Sequence, residues 1–201
     1  MLSDPHFKTY LELLLKWNKV YNLTAITDPK EVQIKHFEDS LSALPFLPKT
    51  GRILDIGTGG GFPGVPLKIA RPDLEVVLLD AVRKKITFCE AAIRELGLKG
   101  IKAIHGRVED ENQIRQLGLF DVIITRATFS LPEFLTLALP YSSPTTLAIA
   151  MKGRDWKVAG FKAEENGWKL KEAFDYELSE DLGSRSLVVF SRIYQEQVSP
   201  S

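Results

Sequence analysis

The sequence predicts an α/β fold, with a mostly parallel seven-stranded sheet, a C-terminal antiparallel hairpin and an N-terminal helical extension. Three observations carry this. Ile53, Leu54 and Ile56 form a short apolar run that leads through Gly57, Gly59, Gly60, Gly61 and Gly64 toward a helix, as a strand buried on both faces would. Strand and helix patterns then alternate at βαβ spacing as far as Met151. Last, two strand patterns follow each other directly, Trp168 to Leu178 and Arg185 to Tyr194, so they pair as an antiparallel hairpin at the sheet edge.

The elements can be justified in order. Asp4-Pro5 supplies an N-cap and a first-turn proline for a helix in which Phe7, Tyr10, Leu11, Leu14 and Leu15 recur at helical spacing. Trp17 to Thr24 follows, rich in aromatics and amides, with Trp17 read as a packing residue. Asp28-Pro29 with Glu31 predicts a capping box opening a second helix through Val32, Phe37 and Leu41. On that helix His36, Asp39 and Ser40 share a face away from Phe37, and spacing alone reads it as solvated. Strands are expected at Leu74 to Asp80, Ile101 to His105, Phe120 to Thr125 and Thr145 to Met151. Between them a helix carries Ile86, Cys89, Ile93 and Leu96, another starts at Leu131, and Asp155 to Glu165 reads as a helix.

At 201 residues the chain has room for one domain with a sizeable core: a helical extension over 1–48, the sheet domain over 49–195 and a frayed tail over 196–201. Lys plus Arg and Asp plus Glu are both 26, so no whole-molecule field recruits nucleic acid. The one cysteine, Cys89, excludes an internal disulfide and a cysteine-built metal site, and its helical spacing makes it a packing residue. There is no charged-then-apolar leader and no membrane-length apolar run, so a cytoplasmic protein away from membranes is expected.

Asp55 lies at the carboxyl end of its strand, where open α/β sheets bind ligands, and is expected to face a ligand rather than the core. Gly59, Gly61 and Gly64 fit the dinucleotide pattern G-x-G-x-x-G, but Pro63 and Pro66 remove N–H groups that a pyrophosphate needs. The pattern D-x-G-x-G-x-G is met by Asp55, Gly57, Gly59 and Gly61. It resembles the first motif of Rossmann-like (class I) S-adenosylmethionine-dependent methyltransferases. Asp80 ends the next strand about 20 residues on, as a ribose-binding carboxylate does. Near the end of the third strand, Val108 offers a backbone N–H to an adenine ring nitrogen and Glu109 an acceptor for its amine. Arg126 follows the fourth strand at the switch point, where the acceptor should meet the cofactor, and is read as a functional cation there.

Trp17-Asn18-Lys19-x-Tyr21-Asn22-Leu23-Thr24, Lys35-His36-x-x-Asp39-Ser40, the run from Asp55 to Leu67, Thr125-Arg126-Ala127 and Lys152-Gly153 together resemble the glucose-inhibited division protein B family. The resemblance implies a guanine-N7 methyltransferase of small-subunit (16S) ribosomal RNA, using S-adenosylmethionine and no metal and acting as a monomer. It places cofactor contacts on Gly57, Phe62, Asp80, Ala81, Val108, Glu109 and Arg126. It makes Asn22, His36, Asp39, Lys152 and Arg185 candidates for the acceptor side. Ser186 departs from the family pattern, which often has histidine after the arginine. Guanine N7 carries an in-plane lone pair and no proton, so no general base is expected; the ring turns cationic on methylation, so Arg126 is expected to grip the methionine carboxylate of the cofactor rather than the base. Two other readings stay open: methylation of a protein or small molecule on the same fold, and a nucleotide-binding sensor without transfer activity.

Overall fold

The computed structural model describes residues 4–126, 128–159 and 164–193. Helix α1 (Pro5–Tyr21) starts on the Asp4 carboxylate, which accepts the His6 N–H, and ends at Asn22 in the left-handed region with φ 49°. Helix α2 (Pro29–Val32) is capped by Asp28, which accepts the Glu31 N–H at 2.9 Å. The expected reciprocal half of the capping box is absent, because the Glu31 carboxylate pairs instead with Lys35 at 2.8 Å. The helix then widens into a π segment, Gln33–Glu38, and closes as α3 (Asp39–Leu41).

The core follows as β1 (Gly51–Ile56), α4 (Gly64–Ala70), β2 (Leu74–Asp80), α5 (Arg83–Glu95), β3 (Ile101–His105), α6 (Glu111–Leu117), β4 (Phe120–Arg126), α7 (Leu131–Ala138) and β5 (Ser142–Gly153). Three more strands complete the sheet: β6 (Glu164–Glu165), β7 (Trp168–Glu177) and β8 (Ser184–Arg192). The strand order is β3-β2-β1-β4-β5-β8-β7-β6, with β1 to β5 mutually parallel and β8 antiparallel to both of its neighbours. Order reverses between β1 and β4, so the ligand-binding crevice of such a sheet opens above Ile56 and Arg126.

The C-terminal hairpin of β7 and β8 closes the sheet as expected, β8 lying between β5 and β7, but one expectation needs correction: the described sheet has eight strands, not seven. The extra strand comes from the expected helix at Asp155 to Glu165. It is a 3-10 turn over Arg154–Ala159, and Glu164 and Glu165 pair with Lys169 and Trp168. Asn166-Gly167 explains the change: both residues hold positive φ, 48° and 78°, which suits a two-residue hairpin loop. The expected strand end at Tyr194 and the tail lie outside the described residues.

Alternation along the strands divides the core in two. Ile53, Val76, Leu78, Val122, Ile124, Ile149 and Val189 face α1, α4 and α5; Leu54, Ile56, Val77, Leu79, Ile123, Ala148 and Val188 face α6 and α7. The helical extension joins the first layer through an aromatic cluster. Tyr10 stacks with Phe37 at 5.4 Å and Phe88 at 6.1 Å, and Phe62 lies 5.5 Å from Tyr10. Cys89 is buried in this layer, as its spacing predicts. Trp17 packs against the same layer, partly buried.

Candidate active site

The turn after β1 is shaped from below. Asp55 has no exposed surface, and its Oδ2 accepts the Thr58 hydroxyl at 2.6 Å and the Gly64 N–H at 2.8 Å. The structure therefore puts this carboxylate beneath the loop rather than in a cleft, where it braces both ends of the turn. Its Oδ1 has no hydrogen-bond partner among the described residues, and burial raises the carboxyl to about 7. Gly61 holds φ +88°, and a Cβ there would come within 2.6 Å of the Tyr10 hydroxyl, which donates to the Gly60 carbonyl. Gly57 holds φ +70°, with Thr128 and Phe129 packed over it. The Gly59 N–H donates to Asp80 Oδ2 at 2.9 Å.

A cleft of about 300 Å³ opens beside that turn at the carboxyl end of the sheet. Gly57, Asp80, Ala81, Val108 and Glu109 all line it, together with Thr128 and Phe129, which no sequence motif had marked. Asp80 accepts the Val82 N–H at 2.8 Å as well as the Gly59 N–H. A carboxylate has about four lone-pair sites, so two remain for the hydroxyls of a ribose. The ribose reading of Asp80 is thus compatible with its two backbone bonds. Val108 is buried with its carbonyl held by the Tyr141 hydroxyl at 2.8 Å, and Glu109 is exposed at the rim. His105 reaches the Ala81 carbonyl at 3.0 Å and steadies that corner.

A second cleft, of about 310 Å³, is lined by Lys35, His36, Asp39, Arg126, Lys152 and Arg185 among others. Here the expectation of a solvated helix face is overturned. His36, Asp39 and Ser40 are all buried, because Arg126 from β4 and Tyr176 from β7 cover that face. Arg126 is 15% exposed and donates to the Lys35 carbonyl at 3.0 Å, to Asp39 Oδ2 at 3.3 Å and to His36 Nδ1 at 3.0 Å. Its guanidinium also lies 4.9 Å from the centre of the Phe62 ring, on which the His36 imidazole stacks at 4.6 Å. Phe62 itself is buried and serves as the hub of this stack.

The protonation of His36 follows from its partners. Nδ1 lies 3.0 Å from the Arg126 guanidinium, which can only donate, and 3.2 Å from the Lys35 carbonyl, which can only accept; the shorter Arg126 contact assigns the lone pair to Nδ1 and the proton to Nε2. Nε2–H then donates to the Thr24 hydroxyl oxygen at 2.9 Å. Burial, with the Arg126 charge second, lowers His36 to about 3, so the ring is neutral. Tyr176, not foreseen from sequence, donates its hydroxyl to Asp39 Oδ1 at 2.7 Å, and Arg185 Nε stands 4.0 Å from the same oxygen. Lys152 donates to the Phe129 carbonyl and so ties the rims of the two clefts together. Asn22 is not brought to this group: it lines a separate cleft with Asn18, Lys19 and Thr24. Ser186 is buried and donates to Asp175 at 2.5 Å.

Comparison with known proteins identifies the family. The family model described as rRNA small subunit methyltransferase G matches residues 3–188. The chain belongs to that family. It is 51% identical over 144 residues to Ribosomal RNA small subunit methyltransferase G of Acinetobacter baylyi, covering 72% of this chain and 68% of the relative. It is 44% identical over 187 residues to the Geobacter sp. protein of the same name, covering 91% and 86%. Among solved structures, the precorrin-6y C5,15-methyltransferase of Geobacter metallireducens superposes with a TM-score of 0.60 at 11% identity, covering 86% of this chain and 92% of that one. TrmN of Thermus thermophilus also gives 0.60, at 20% identity, covering 76% and 48%. Both likenesses bear on the fold: a class I methyltransferase sheet. Among the described residues no metal-ligating cluster occurs, and no helix is long and apolar enough to cross a membrane.

Proposed function

We propose that this chain, as a monomer, transfers a methyl group from S-adenosylmethionine to N7 of a guanine in small-subunit (16S) ribosomal RNA. The observation that carries the reading is the pair of clefts meeting at the switch point, one lined by nucleoside-binding groups and one by cations. In the first, Asp80 would take the ribose hydroxyls, Val108 and Glu109 the adenine edge, and Gly57 the close approach of the methionine portion. When bound, S-adenosylmethionine supplies an electrophilic methyl on a sulfonium.

The second cleft suits an acceptor that needs no deprotonation. Neither His36 nor Asp39 is a free base: the imidazole nitrogens are engaged by Arg126 and Thr24, and the carboxylate by Arg126 and Tyr176. Guanine N7 attacks through its in-plane lone pair, so alignment within the site supplies the main acceleration. The ring becomes cationic as it is methylated, and an uncompensated arginine beside it would oppose that. Asp39 at 3.3 Å offsets the Arg126 charge.

The three hydrogen-bond partners of Arg126 all lie on the helical extension, which supports an acceptor-side role over the expected grip on the cofactor carboxylate. Arg126→Ala should then leave S-adenosylmethionine affinity within about twofold and lower turnover by two orders of magnitude or more, roughly the effect of losing substrate alignment. Loss of cofactor binding by calorimetry would return Arg126 to the methionine end. The function itself is tested by transfer of labelled methyl to naked small-subunit RNA and to assembled subunits, followed by chemical cleavage at N7-methylguanine. A single new cleavage site supports the reading; label entering protein or a small molecule instead would refute the acceptor.

A further inference from the structure

The motif from Trp17 to Thr24 is only partly used inside the protein. Trp17 packs edge-on against Phe88 at 5.7 Å, and Leu23 is buried. The Asn18 amide holds Thr24 at both its N–H and its carbonyl, each at 2.9 Å, and Thr24 in turn holds His36. Lys19, Tyr21 and Asn22 are exposed, and among the described residues their side-chain polar groups make no hydrogen bond.

We infer that Tyr21 is a stacking platform for an unpaired nucleobase of the RNA substrate, next to the nucleotide that is methylated. The inference rests on the RNA-methyltransferase reading and adds a binding position to it. The Tyr21 ring is 41% exposed yet backed by the Trp17 indole at 5.2 Å, and that indole rests on buried Phe88. A ring held this way loses little conformational freedom when a base covers it. Base–aromatic stacking is a recurring mode of single-strand recognition.

Location and charge support RNA as the occupant. Tyr21 and Thr24 are three positions apart, a reach of about 10 Å at most, and the Thr24 hydroxyl touches the His36 ring that lines the second cleft. An exposed cation stands near the backing of the platform: Lys84, at the start of α5, lies one turn before Phe88, on which the Trp17 indole rests. Its charge suits a phosphate beside a stacked base. The large apolar residues exposed on α1 are Val20 and Tyr21 alone among the described residues, too small a patch for an apolar protein interface.

The test compares wild type, Tyr21→Ala and Tyr21→Phe in steady-state methylation of small-subunit RNA, naked and assembled, with S-adenosylmethionine binding and thermal midpoint measured alongside. Tyr21→Ala should raise KM for RNA about tenfold, with cofactor affinity and thermal midpoint unchanged, and Tyr21→Phe should restore KM because the ring face suffices. An unchanged KM in Tyr21→Ala overturns the inference. So does a Phe variant as impaired as Ala, which would assign the effect to the hydroxyl, and so does parallel loss of stability and cofactor binding, which would make Tyr21 structural. A wild type that methylates no RNA would instead overturn the underlying reading.

Discussion

At the scale of single residues, Asp55 and His36 are both buried, and their shifted titrations bend the pH dependence of stability in opposite directions. Asp55 is raised from 3.8 to about 7, so between those values the folded chain keeps a proton that the unfolded chain has released. Its contribution to stability therefore falls as pH rises through that window. His36 is lowered from 6.5 to about 3, so below pH 6.5 the unfolded chain takes a proton that the folded chain refuses. Its contribution falls as pH drops from 6.5 toward 3. Asp55→Asn removes the first slope and exposes the second. The thermal midpoint of the variant should climb from pH 4 to 6.5 more steeply than that of wild type; calorimetric profiles that run parallel would contradict the assignment. Neither state was legible in sequence. Asp55 sits at the strand end where ligand-facing carboxylates sit, and only the packing of Thr58 and Gly64 around it shows that its oxygen holds the turn.

At the scale of elements, the glycine turn is a contact surface for α1 as much as a ligand loop. Gly61→Ala meets two penalties, a positive φ and a Cβ driven against the Tyr10 hydroxyl and Val65. Together these should destabilise the protein by about 2 kcal/mol. Combining it with Tyr10→Phe relieves the clash with the hydroxyl but not the backbone strain, so denaturant unfolding of the double variant should recover only part of the loss measured for Gly61→Ala relative to a Tyr10→Phe background. The turn residues themselves were readable, since positive φ and close approach select glycine locally. The hairpin at Asn166-Gly167 is equally local, but the apparent helical run from Asp155 to Glu165 masks it in the sequence. The π segment carrying His36 is a different case. Its widened ladder lies where Arg126 reaches the Lys35 carbonyl, a contact between residues 91 apart in the chain.

At the scale of the whole molecule, the helical extension is part of the core and part of the site. Tyr10, Phe37, Phe62 and Phe88 interlock across it, and three hydrogen bonds join Arg126 to its second helix. The full chain should accordingly unfold in one cooperative transition by coincident near- and far-ultraviolet dichroism. Removal of residues 1–48 should leave Arg126 without its paired carboxylate and the aromatic layer open, giving a chain that binds a hydrophobic dye and shows no cooperative melt. A truncated chain with a sharp transition would show that the sheet domain stands alone.

The sequence by itself determined the order and type of most elements, the glycine turn, and the Asp80 corner with its neighbouring cleft residues. These follow from the periodicity of a strand or helix, from backbone angles that one residue type tolerates, and from the rule that such sheets bind ligands at their carboxyl ends. Tertiary structure decided the charge state of His36, the partner of Arg126 and the presence of Tyr176 on Asp39. Those depend on residues 90, 87 and 137 positions apart meeting in one buried volume. There, desolvation and the directions of a few hydrogen bonds, rather than residue type, set what each group can do.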